Sequence, residues 1–156
     1  MAAEGFYISW SIEGEQQLSR KLLLLASRVK DWTPAMEGTA EYLKGVFEGD
    51  VFETQGAAID ENWSPLSKAY AYAKAKKYPG KGILEATGAM RSGFMTLWRP
   101  DMAAVWNEVA YFKYHQSNQP RTSNLPRRVM MKLANTQREQ VVRIFNTYFQ
   151  EVVARS

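Results

Sequence analysis

The chain has 156 residues, 46% of them apolar and 13% aromatic, enough to bury the core of one ordinary domain spanning residues 1–156. There is no cysteine, which excludes disulfides, thiolate metal sites and a cysteine nucleophile. No run of about 18 apolar residues is present, and the N-terminus lacks the basic region, apolar core and cleavage site of a secretion signal, so neither a membrane-spanning helix nor export is expected. The net charge of +4 conceals a polarity: residues 1–60 carry five basic and ten acidic side chains, residues 61–156 fifteen and six. Such asymmetry favours partners of opposite sign at the two ends, head-to-tail contact between copies, or nucleic acid against the basic part.

In chain order, "FYISWSI" (residues 6–12) alternates as a short strand, and Glu13 and Gly14 turn the chain. Leu18, Leu22, Leu25 and Val29 recur at helical spacing and predict an amphipathic helix over 15–30. Thr33 as N-cap and Pro34 at the first helical position begin a second helix, whose apolar stripe is Met36, Ala40, Leu43, Phe47 and Val51. Ser64 and Pro65 repeat that signal and predict a short basic helix over 65–77, ended by "YPGKG". Residues 83–91 read as one or two helical turns bearing Ile83, Leu84 and Met90.

Valine and aromatic enrichment then predicts β-type runs in "SGFMTLWRP", "MAAVWNEVAYFKYHQ" and "PRRVMMKL", with turns at 99–101 and 117–124. Thr136 and Glu139 form a capping box for a last helix over about 136–154, with Val141, Ile144, Phe145, Tyr148, Phe149 and Val152 on its apolar face. The order predicts an α+β fold: N-terminal helices, a small antiparallel β-sheet, and a long C-terminal helix.

The residue types argue against catalysis. The chain has a single histidine, His115, and Ser64 is followed by proline rather than the glycine of a nucleophile elbow, so Ser64 reads as a helix cap. Asp50, Glu53, Asp60 and Glu61 lack EF-hand spacing and read as a solvated acidic loop; Glu48/Glu53 or Asp60/Glu61 as a carboxylate pair for glycoside chemistry is the competing reading. "YPGKGIL" lacks the phosphate-loop pattern. Neither a metal nor a cofactor is expected. Residues 66–82 hold five lysines and no acid, interleaved with Tyr70, Tyr72 and Tyr78. That composition suits a nucleic-acid surface, against the plainer reading of a solvated helix with its tyrosines packed underneath.

Taken together, Trp63-Ser64-Pro65-Leu66-Ser67, Ile83-Leu84-x-x-Thr87-Gly88-x-Met90-Arg91-Ser92, Tyr111-x-x-Tyr114-His115-Gln116 and Leu125-Pro126-Arg127 stand in an order that resembles the tailed-phage virion morphogenesis family, the tail-completion or minor tail components of Mu-like and lambdoid phages. The resemblance covers about residues 47–133. Met90 stands where leucine is usual, Phe112 replaces an alanine, Ser117-Asn118 replace an aromatic-glycine pair, and Arg128 and Val129 replace parts of a further motif.

The resemblance implies a structural protein of the neck or upper tail, not an enzyme, forming a homo-oligomeric ring that joins tail to head. Its implied partners are connector, neck, tail-tube or tail-terminator proteins, with weak electrostatic contact to DNA and none to membrane. It implies a location in the virion, and in the host cytoplasm during assembly. Interface candidates are Trp63, Arg91, His115, Gln116, Arg121, Arg127 and Arg128. The competing expectation is a basic DNA-binding protein used in packaging or transposition, and the remotest a peptidoglycan hydrolase.

Overall fold

The computed structural model of the chain describes residues 7–9, 31–116 and 126–155. The helix expected over 15–30, the ends of the first strand, and the loop at 117–125 with Arg121 lie outside them. In chain order the elements are strand β1 (Tyr7–Ser9), helix α1 (Thr33–Gly45), a π-type stretch Val46–Asp50 with one further turn Val51–Glu53, a 3-10 turn Ala57–Ile59, helix α2 (Lys68–Lys77), helix α3 (Ala89–Ser92), strands β2 (Phe94–Arg99) and β3 (Met102–Asn107), helix α4 (Phe112–Gln116), and helix α5 (Asn135–Arg155). This is an α+β protein. The described residues fall into two compact units: one comprises those up to Lys44, Met95–Trp106 and those from Lys132 onward, the other Gly45–Phe94 and Asn107–Met131.

The first unit holds α1, the hairpin β2–β3 and α5. Pro100 and Asp101 link β2 to β3 as an antiparallel pair, as expected from the turn signal. Strand β1 adds to the other edge of β3 in parallel, Tyr7 opposite Met102 and Ser9 opposite Ala104, so the three-stranded order is β1-β3-β2. Met36, Ala40 and Leu43 of α1, and Val141 and Phe145 of α5, are fully buried, as their helical spacing requires. Gly38 of α1 faces α5: a Cβ there would lie 3.4 Å from Ile144 Cγ2, ordinary van der Waals contact. Trp32 packs on Phe145 and Tyr148 with ring centroids 5.3 and 5.6 Å apart, and the Tyr148 hydroxyl donates to the Asp31 carbonyl at 2.7 Å.

Both expected caps in this unit shift by residues. Thr33 is the first residue of α1, not its cap, and Asp31 supplies the oxygen: Oδ1 accepts from Thr33 N at 3.0 Å and from Thr33 Oγ1 at 2.6 Å. An ionised carboxylate outcompetes a hydroxyl as acceptor for free helix N–H groups. These two bonds hold the Asp31 carboxyl below the usual aspartate range. The sign follows: their contribution is complete above the unfolded value, about 3.9, and fades as pH falls through the depressed folded value. NMR titration of Asp31 in wild type and Thr33→Ala is expected to show the value rise toward normal in the variant. At α5, Gln137 rather than Glu139 reaches back, its Oε1 accepting from Ala134 N at 3.2 Å. The helix begins two residues earlier than the Thr136 box assumes, with Ala134 in the cap position, which makes Gln137 the third helical residue.

The second unit is built around an aromatic cluster. Phe94 lies 6.1 Å from Phe47, 6.5 Å from Phe52 and 5.7 Å from Phe112, the last two edge-on, and Phe52 meets Trp63 edge-on at 5.3 Å. Two departures from sequence expectation shape this unit. Residues 111–116, predicted as β, contain the short helix α4, and residues 126–131, also predicted as β, run irregularly without a partner strand among the described residues. Only Phe112 of α4 is buried, so no alternating face exists to be satisfied by a sheet.

Candidate functional site

Wholly within the second unit lies a cleft of about 1050 Å³. One wall is the irregular segment before α2, carrying Ser64, Pro65 and Leu66; others come from α2, residues 84–90 up to the first turn of α3, Tyr111 with α4, and residues 126–128. The first wall answers what Trp63-Ser64-Pro65 does. Trp63 is 7% exposed, and its Nε1 donates to the Val129 carbonyl at 2.7 Å. Ser64 does not cap a helix. No helix forms before Lys68, and the carbonyls of Ser64 and Pro65 accept from Arg128, Nε at 2.9 Å and Nη2 at 3.3 Å.

Helix α2 starts three residues later than predicted, with Ser67 as its cap, Oγ accepting from Tyr70 N at 3.3 Å. Ser67→Ala is therefore expected to cost about 1 kcal/mol, and Ser64→Ala to fall within about 0.5 kcal/mol of wild type, in thermal melts followed by circular dichroism.

Helix α2 also reverses the expected burial. Tyr70 and Tyr72 are 54% and 66% exposed, while Lys74 is 6% exposed and is the one buried residue of the helix. Its Nζ donates to the Gly82 carbonyl across the turn that ends the helix. Burial pushes the Lys74 ammonium below the usual lysine range; Glu85 opposes that shift and Arg128 adds to it. Arg128 is 4% exposed, and burial likewise lowers its value, with Tyr70 acting against it. Two mutually repelling cations thus sit at one cleft, each hydrogen-bonded to neutral carbonyls.

The remaining interface candidates have defined places. Arg91 donates from Nε to the Glu48 carbonyl at 2.7 Å, and pairs with Glu85 at 2.7 Å and Glu53 at 3.3 Å; the Glu85 bond raises its value further. Gln116 is a clasp: Oε1 accepts from Met130 N and Met131 N at 2.9 and 3.0 Å, and Nε2 donates to the Met131 carbonyl at 2.7 Å. The carbonyls of His115 and Gln116 accept from Arg128 N at 2.9 Å and Arg127 Nε at 3.1 Å. His115 lines the cleft. Trp63 and Gln116 therefore act first inside the unit, which leaves them little surface for a partner, whereas Arg128 bonds inside the unit through Nε and Nη2 and also lines the cleft.

Lys74 was not singled out by the sequence. Alanines at 69, 71, 73 and 75 alternate with polar residues, so α2 carries no apolar stripe to mark a buried face. Among the described residues, no group of three or more His, Asp or Glu could hold a metal ion, and no helix is long and apolar enough to cross a membrane. These features define an α+β protein with a cationic cleft. Comparisons with protein-family models, curated proteins and solved structures return no match.

Proposed function

We propose that this chain is a structural protein of a tailed-phage virion, acting at the neck or upper tail as a homo-oligomeric ring that completes the tail and joins it to the head. The observation that supports this most is that the segments carrying the resemblance hold one another. Trp63 bonds to Val129, Arg128 to Ser64 and Pro65, and Gln116 to Met130 and Met131. Segments far apart in sequence are thus tied by side-chain bonds to backbone groups, from Trp63 and Gln116 within the quoted motifs and from Arg128, which departs from them, and such bonds suit architecture rather than turnover. The charge polarity of the chain supports contacts between copies or with neighbouring virion proteins.

Electron microscopy of particles from infected cells lacking the gene tests the proposal. Filled heads beside detached tails are expected, and abnormal tail ends would place the action at tail completion or termination. Normal infectious virions would overturn it.

A second reading, DNA binding during packaging or transposition, is favoured by the surface of α2, where Tyr72 is exposed and Lys76 Nζ sits 4.4 Å from its ring centre. It requires duplex retention that falls steeply with salt. Absence of salt-sensitive retention at low ionic strength would end it.

A further inference from the structure

We infer that the cleft is a receptor for a carboxylate-bearing peptide segment of a protein partner, held by Lys74 and Arg128. Among the described residues, the lining includes these two cations and no acid. Glu85, the carboxylate that acts on Lys74, is already bonded to Arg91 at 2.7 Å. Removing a cation from water costs several kcal/mol unless an opposite charge compensates it, and here the two cations also repel each other. Both keep donors in reserve: Lys74 bonds one carbonyl with an ammonium that has three N–H groups, and the Arg128 bonds run from Nε and Nη2, leaving Nη1. A carboxylate placed between them accepts these donors and cancels the repulsion.

The rest of the cleft decides the class of ligand. Leu84, Met90, Pro126 and the half-exposed Tyr70 and Tyr111 form apolar walls, and the volume lies at the upper end of ligand sites. A free phosphate would use only the cations. A nucleic-acid backbone needs rows of exposed cations, whereas Lys74 and Arg128 are 6% and 4% exposed. A slender acidic side chain or chain end reaches them while its neighbours pack on the walls. The inference stands independently of the virion reading.

The test uses the full chain and four probes: a blocked polyglutamate peptide, a blocked polyglutamine peptide of equal length, inorganic phosphate, and a single-stranded oligothymidylate. Titrations are followed by NMR shifts of cleft residues. Polyglutamate is expected to bind with shifts centred on Lys74 and Arg128, polyglutamine and phosphate not to bind. Lys74→Met is expected to weaken polyglutamate by about tenfold or more, the loss of one charge-assisted hydrogen bond. Its melting temperature should hold or rise, since a buried cation is replaced by an apolar side chain of similar length. Equal binding of polyglutamine, binding unchanged by Lys74→Met, or tighter binding of phosphate or oligothymidylate at the cleft would each overturn the inference. A melting temperature that falls in Lys74→Met would overturn it too, by making Lys74 a structural strut.

Discussion

Gln116→Leu is expected to destabilise the protein by about 3 kcal/mol or more, at one to three for each buried backbone group left unpaired. The amide engages three such groups, the N–H of Met130 and Met131 and the carbonyl of Met131, and Met130 is fully buried with Met131 at 5% exposure. Leucine is close in size, so packing is largely kept and the loss measures hydrogen bonding. Urea denaturation of the two proteins with the same slope checks it. Gln116→Glu separates the roles further. It keeps an acceptor for the two N–H groups and loses the donor to Met131, so its loss should be clearly smaller than that of leucine. A surface contact residue would show neither loss in the isolated protein.

Gly56→Ala is the second large effect. Gly56 has φ +91°, and a Cβ built there overlaps the Glu61 carbonyl oxygen and lies 2.7 and 2.8 Å from Trp63 Cδ1 and Nε1. The residue closes a tight corner: its N–H donates to the Val51 carbonyl at 2.8 Å, and its own carbonyl accepts from Ile59 and Glu61 at 3.1 and 2.9 Å. Alanine must move either the backbone at Glu61 or the indole wedged against Phe52. The combined strain and lost packing should exceed about 4 kcal/mol, beyond the range of ordinary substitutions. Soluble yield and thermal melts compared with Gly49→Ala provide the check, because nothing lies within 4 Å of a Cβ at Gly49.

What could be read from sequence was set by how many residues share in each signal. Met36, Ala40 and Leu43, like Val141 and Phe145, repeat at the helical period, and all are buried. The two-residue link at Pro100 and Asp101 marked the hairpin. Single-residue signals fared worse because a neighbour could supply the same bond. Asp31 displaced Thr33, Ser67 displaced Ser64, and Gln137 displaced Glu139. The run at 126–131 is aligned by one glutamine side chain instead of a strand, a pairing that no periodicity announces. The cleft was hidden for a related reason. Its cations come from a helix without an apolar stripe and from an arginine in irregular chain, and only the fold brings them together.

Because Lys74 is the one buried residue of α2, that helix buries almost no apolar surface against the rest of its unit; the Ser67 cap is a bond within its own first turn, and the bond from Lys74 to Gly82 reaches only the turn that follows. Segments with few buried apolar contacts open far more readily than the whole molecule unfolds. The amide protons of Lys68–Lys77 should therefore exchange with solvent deuterium well ahead of those in α1 and α5. An occupant bridging α2 to Arg128 would slow them, so the wall that breathes most freely is also the one that would report that the cleft is filled.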